Sequence, residues 1–215
     1  MTFVWLPLGL AVIGWLALRL GRSRWESVTT PAVTAGVLIW ILLEGPVIGT
    51  PVAWFLAGAA LSLAGDVLLL PAVDRPRQSL TAYFLAALAC TAGLNTSPFP
   101  VNFSTALFAL VVILAAQRVH SRIAAARPEL RLPSLALSAA LSFTVLSGLA
   151  TLAKDSWPPV PALLAAGGVV LLAIACILFA WDRSVEPLAG SDLRFRMAYQ
   201  LGQMALVGGV LMNLS

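Results

Sequence analysis

Nine acidic side chains are spread over 215 residues, and one of them, Asp66, sits inside the apolar run Ser62-Leu63-Ala64-Gly65-Asp66-Val67-Leu68-Leu69-Leu70. A carboxylate in such a run is unfavourable by several kcal/mol unless it is paired or protonated, so it marks a functional group by default. Ser62 lies one helical turn earlier on the same face, giving a Ser62/Asp66 stripe that should point into protein rather than lipid. A second acid, Asp182, closes the run Ile177-Leu178-Phe179-Ala180-Trp181-Asp182, and the next run carries Tyr199 and Gln203 on one helical stripe. Two carboxylates in different surroundings, with a phenol and an amide near them, suit general acid–base catalysis. All four polar groups could line one cavity. Each residue also has a purely structural reading: Asp66 as a buried hydrogen-bond acceptor, Asp182 as a solvated helix end, Tyr199 as an interfacial anchor and Gln203 as an interhelical link.

These groups must be positioned by elements built for lipid. The chain is 60% apolar and only 10% charged, with a mean hydropathy of +0.95, whereas about a quarter of an ordinary soluble domain is charged. Apolar runs separated by Pro, Gly and charge place helices at 3–18, 28–43, 51–71, 79–95, 102–117, 133–153, 161–181 and 194–213. With about 20 residues per crossing, eight is close to the most this length allows. The runs lack the alternation of a membrane barrel, and helices satisfy their own backbone. The predicted fold class is therefore all-α, an integral membrane bundle of about eight transmembrane helices forming one domain over 1–215, with no soluble domain left over.

Charge supplies the topology. Arg19, Arg22 and Arg24 follow the first run, Arg75 and Arg77 the third, Arg118, Arg122, Arg127 and Arg131 the fifth, and Arg183, Arg194 and Arg196 the seventh. Only Lys154 falls on the other side. Positive charge stays cytoplasmic, which predicts a multi-pass cell-membrane protein with both termini outside. Asp66, Asp182 and the start of the last helix then share the inner face. The net charge of +4 reads as topology rather than a nucleic-acid surface, so no nucleic acid partner is expected. Residues 118–132 are expected to be the longest connection, with His120 in it, and Glu44 to lie in a turn beside Gly45-Pro46. Cys90 and Cys176 lie within apolar runs and are expected to pack, so no disulfide framework and no Cys/His metal set is predicted. Gly58, Ser62 and Gly65 in the third run, and Gly202, Gly208 and Gly209 in the eighth, mark close helix approach.

With Ser62, Gly65, Asp66 and Leu68-Leu69-Leu70, the late aspartate Asp182 and the segment Tyr199-Gln200-Leu201-Gly202-Gln203, the sequence resembles the YhhN-like lysoplasmalogenase family. That resemblance extends over nearly the whole chain. It departs at Trp181-Asp182, where the family has Ser-Asp, and at Thr30-Pro31, where it has Lys-Pro. The family's fourth-helix His and Tyr have no matched counterpart, the stretch Tyr83 to Cys90 being apolar where the histidine belongs. The resemblance implies hydrolysis of the vinyl ether of a lysoplasmalogen, or a related lysolipid, to a fatty aldehyde and a glycerophospho-alcohol. Asp66 and Asp182 would be catalytic, Asp66, deeper in lipid, as the neutral proton donor and Asp182, nearer water, as the ionised group that activates water, and Ser62, Tyr199 and Gln203 would bind substrate. No cofactor or metal is implied, and the partners are a lysophospholipid and membrane lipids. The alternative is a proton-coupled carrier or lipid transporter with Asp66 as its intramembrane acid. Acids gathered near one face favour a one-sided pocket over a path open to both.

Overall fold

A computed structural model of the chain describes residues 3–20, 23–45, 51–70, 72–100, 103–186 and 190–214. Among them are eight α-helices and no strand: α1 Trp5–Arg19, α2 Ser23–Glu44, α3 Val52–Leu68, α4 Pro76–Leu94, α5 Phe103–Ala126, α6 Arg131–Ala150, α7 Pro159–Ser184 and α8 Ser191–Leu214. Each expected run therefore forms a helix. Three stretches, Thr105–Ala126, Arg131–Ala153 and Pro159–Asp182, are long and apolar enough to cross a membrane. Trp5–Arg19, Val28–Glu44 and Val52–Leu68 are apolar but shorter. Of the basic residues used for topology, Arg22 lies outside the described residues, as do the side chains of Arg24 and Arg183.

The expected long connection at 118–132 is mostly helix. α5 continues to Ala126, and only Arg127 and the 3-10 turn Pro128–Leu130 separate it from α6. Arg122-Ile123-Ala124-Ala125-Ala126 consists largely of strong helix formers, and Pro128 ends the run because proline restricts the residue before it. His120 is consequently a helical residue, with Nδ1 3.1 Å from Ser134 Oγ on α6.

α8 is the central helix. It packs along α7 and also touches α1, α2 and α3, while α5 lies at the edge against α6. α7 and α8 meet backbone to backbone. A Cβ at Gly202 would stand 2.9 Å from both the Gly168 carbonyl oxygen and the Leu172 nitrogen, and one at Gly209 would stand 2.6 Å from the Pro161 carbonyl oxygen. Only glycine permits that approach. The close contact expected at Gly202 and Gly209 is thus observed, as it is at Gly58 against Cys90 Sγ. Trp40, Ile41, Val37, Val169, Leu206 and Val210 fill the core between α2, α7 and α8.

Two charged residues hold the ends of helices. Lys154, expected as the lone outer cation, is buried at 7% exposure and donates to the Leu94 carbonyl oxygen at 2.8 Å and that of Ser97 at 3.4 Å. It closes the C-terminal end of α4, where a cation is favoured by the unpaired carbonyls. Glu44 is the last residue of α2 rather than part of a turn. It accepts the Phe3 N–H at 2.7 Å and the Trp40 Nε1–H at 2.8 Å, placing a carboxylate at the N-terminal end of α1.

Burial holds the Lys154 amine below the usual lysine value. The unfolded chain therefore binds that proton more readily, and stability should rise with pH between the lowered value and the ordinary one near 10.5. Lys154→Met is expected to lower stability by about 1–3 kcal/mol through the carbonyls left without a donor. In thermal unfolding in detergent, the gap between wild type and variant should widen as pH is raised towards that limit.

Candidate active site around Asp66

Asp66 sits near the C-terminal end of α3 and is 4% exposed. Gly65 beside it gives the neighbouring helix room: a Cβ there would stand 2.8 Å from Cε1 and 2.9 Å from Cζ of Tyr83. Ser79, one turn before Tyr83 on α4, donates to the Gly65 carbonyl oxygen at 2.9 Å. The bare backbone of Gly65 and this bond together lay the Tyr83 ring over α3 and bring its hydroxyl to Asp66.

Both carboxylate oxygens have a donor. Tyr83 Oη–H donates to Oδ1 at 2.6 Å, and Thr34 Oγ1–H, from α2, donates to Oδ2 at 2.5 Å. Thr34 Oγ1 is also 3.3 Å from Gln203 Oε1 on α8. The threonine hydroxyl thus stands between two acceptors, and a hydroxyl both donates and accepts. With Asp66 ionised, Thr34 donates to it. With Asp66 protonated on Oδ2, Thr34 accepts that proton's hydrogen bond and turns its own towards Gln203. Both charge states can be hydrogen-bonded without moving a helix.

Tyr199 completes the cluster from α8. Its ring meets that of Tyr83 edge-on, with centroids 6.2 Å apart at 79°, and stacks with Phe195 at 5.8 Å and 22°. Its hydroxyl is adjacent to Ser62 and Asp66 yet buried with no hydrogen-bond partner of good geometry. A buried phenol beside a carboxylate and short of a partner is a place for a substrate or water oxygen. Arg196, just under one turn earlier on α8, is half-buried, and its charge acts on Asp66.

The structure thus gathers Ser62, Asp66, Tyr199 and Gln203 around one point. Asp182 is placed differently. It is half-buried, two residues before the end of α7. Cys176, six residues earlier, borders both tyrosines, which puts Asp182 about 9 Å further along the helix axis. The contact of Phe179 with Phe195, with centroids 5.0 Å apart, comes from the turn between them.

Thr34, Tyr83 and Arg196 are the participants that sequence reasoning did not assign to the site. The fourth helix, read as lacking a matched tyrosine, does supply one to Asp66. The signal lay in composition: the chain has two tyrosines, and both face this carboxylate. Two cavities of about 740 and 310 Å³ lie elsewhere, along α4, α5 and α6, and Asp66 lines neither. Among the described residues, no three His, Cys, Asp or Glu side chains converge as a metal set.

The Ser-x-x-Gly-Asp turn, the late aspartate and the Tyr-x-x-x-Gln stripe all fall within residues 25–210, which match the model of the YhhN family. The chain belongs to the YhhN family. No curated protein and no solved structure matches it. In this YhhN protein the Gly-Asp pair has a physical reason, since the glycine admits the aromatic ring whose hydroxyl satisfies the aspartate.

Tyr83→Phe removes one donor from the buried carboxylate and should lower thermal stability by about 1–3 kcal/mol. Gly65→Ala should do at least as much by displacing the ring, and the Gly65→Ala/Tyr83→Phe double variant should fall short of the sum of the two because both break one contact. Melting curves of the four proteins in one detergent check this.

Proposed function

We propose that this YhhN protein is an eight-span cell-membrane hydrolase, with both termini outside, that cleaves the vinyl ether of a lysoplasmalogen or related lysolipid. The observation that carries the reading is the buried Asp66 carboxylate, held by two hydroxyl donors and flanked by the buried Tyr199 phenol. Such a group, able to be hydrogen-bonded in either charge state, is what reversible proton transfer requires.

The chemistry follows from the substrate. A vinyl ether is hydrolysed by protonating its outer alkenyl carbon, which leaves an oxocarbenium ion at the carbon bearing oxygen. Asp66 gives that proton, and the resulting carboxylate, still bonded by Tyr83 and Thr34, stabilises the cation beside it. Water adds to the oxocarbenium carbon and loses a proton back to Asp66, or through intervening water to Asp182 further along α7. The hemiacetal then separates into a fatty aldehyde and a glycerophospho-alcohol. Ser62, Tyr199 and Gln203 orient the ether oxygen and the water, and Arg196 attracts the headgroup phosphate. The alkenyl chain lies between apolar helices. No step needs a cofactor.

Purified protein given an alkenyl lysophosphatidylethanolamine should release aldehyde. Asp66→Asn should lower turnover by about 10²–10⁴-fold while the protein still elutes as a folded species. Asp182→Asn should also lose activity if that carboxylate handles the water, and full activity would remove it from the mechanism. Lysolipid moved across vesicles without aldehyde release would replace the hydrolase by a carrier.

A further inference from the structure

The two oxygens of the Asp66 carboxyl group are not equivalent. Oδ1 receives Tyr83 Oη–H at 2.6 Å, and among the described residues that phenol has no second hydrogen-bond partner. Oδ2 receives Thr34 Oγ1–H at 2.5 Å, and this hydroxyl does have another acceptor, Gln203 Oε1 at 3.3 Å. A threonine hydroxyl carries one hydrogen and two lone pairs, so it donates fully to one of these acceptors at a time. A proton on Oδ1 leaves the Tyr83 hydrogen facing an acid hydroxyl, a poorer acceptor than a carboxylate or carbonyl oxygen, with nothing else to take it. A proton on Oδ2 meets the Thr34 oxygen, whose own hydrogen then goes to Gln203, and no buried group is left unpaired.

Thr34 is suited to act through Asp66 rather than on a lipid. It is 0% exposed, deeper than the 4% of Asp66 itself. Its hydrogen passes from one acceptor to the other by rotation about the Cβ–Oγ bond, which moves no heavy atom. The three side chains come from three helices, α2, α3 and α8, so the alignment of the two acceptors on one hydroxyl is a product of the fold and not of one helix face.

We propose that Thr34 is a positioning residue that assigns the transferable proton to Asp66 Oδ2, with Gln203 Oε1 as the acceptor that holds its hydroxyl while that proton is in place. The proposal rests on the acid role given to Asp66 above and adds a direction to it. The bond that breaks is Oδ2–H and the bond that forms is C–H at the outer alkenyl carbon. The alkenyl group must therefore reach the Oδ2 edge of the carboxyl group, and not the Oδ1 edge that Tyr83 covers. As the proton leaves, the Thr34 hydroxyl turns from Gln203 to the bared Oδ2, so the new carboxylate has two donors. When water returns a proton to Oδ2, the hydroxyl turns back.

The test has a spectroscopic arm, which needs no substrate, and a kinetic arm. In infrared spectra of the intact chain recorded over a range of pH, the carboxylic acid C=O band that disappears in Asp66→Asn belongs to Asp66. A hydrogen bond donated by the acid O–H lowers that frequency, so the nearly isosteric Thr34→Val should shift the band upwards. Gln203→Met, which removes only the second acceptor, should shift it upwards by less. The double variant should match Thr34→Val alone, because Gln203 acts on the band through the threonine. Thr34→Ser, which keeps the hydroxyl, should bring the band back towards wild type. With an alkenyl lysophosphatidylethanolamine, Thr34→Val should lower kcat about 10- to 100-fold with KM little changed, through the hydrogen bond lost to the new carboxylate, and Thr34→Ser should recover most of that loss. A band unmoved in Thr34→Val, a downward shift in Gln203→Met, a Thr34→Val defect expressed in KM, or no Asp66 acid band at any pH where the protein is folded would each overturn the proposal. If wild type releases no aldehyde, the hydrolase reading fails, while the band shifts still decide which oxygen holds the proton.

Discussion

A carboxylate buried among apolar helices has to be given hydrogen-bond donors, and much of this bundle is arranged to supply them to Asp66. The donors come from Thr34 on α2 and Tyr83 on α4, with Tyr199 on α8 alongside. Satisfying one side chain therefore pins two neighbouring helices, α2 and α4, against α3. The local devices follow: Gly65 lacks a Cβ so that an aromatic ring can lie on the helix, and Ser79 ties the adjoining turn to the Gly65 carbonyl.

The same requirement accounts for α8. It is the most enclosed helix of the fold yet carries Tyr199, Gln200 and Gln203 on its buried surface. In lipid such a sequence would be a poor span. Inside the bundle each group has a function, Gln200 accepting the Trp15 Nε1–H at 2.7 Å and Gln203 standing behind Thr34. Glycines at 168, 202 and 209 bring α7 and α8 close enough for their backbones to touch, so the polar helix is covered by protein. Polar satisfaction and packing are coupled here: the residues that let Asp66 exist without water are also the ones that draw the helices together.

Much of this was legible in the sequence for physical reasons. Apolar runs broken by Pro, Gly and charge located all eight helices, because the hydrocarbon leaves the backbone no other regular solution. Asp66 stood out because nothing else explains an acid in that run, and Gly202 and Gly209 because small residues mark close approach. Boundaries were less legible. Arginines near 118–131 resemble a loop, although alanines beside them carry the helix to residue 126. Glu44 was read as part of a turn and Lys154 as the lone outer cation, and both prove to close helix ends, a role that depends on which carbonyl or amide lies nearby in space. Thr34 and Tyr83 were passed over for the same reason. A linear pattern gives the depth of a residue and says nothing of which helix stands beside it. Asp182 shows that limit from the other side, since its inner-end position was read from topology while its spacing from Asp66 depended on where Cys176 and Phe179 meet α8.

The account rests on substrate reaching a carboxyl group that protein hydroxyls already enclose. An experimental structure with a non-cleavable saturated ether analogue of a lysoplasmalogen tests it most directly. The reading predicts the two carbons corresponding to the vinyl group within about 3.5 Å of the Asp66 carboxyl, the ether oxygen at the Tyr199 hydroxyl and the phosphate towards Arg196. An analogue bound elsewhere, with Asp66 still closed by Thr34 and Tyr83, would contradict it.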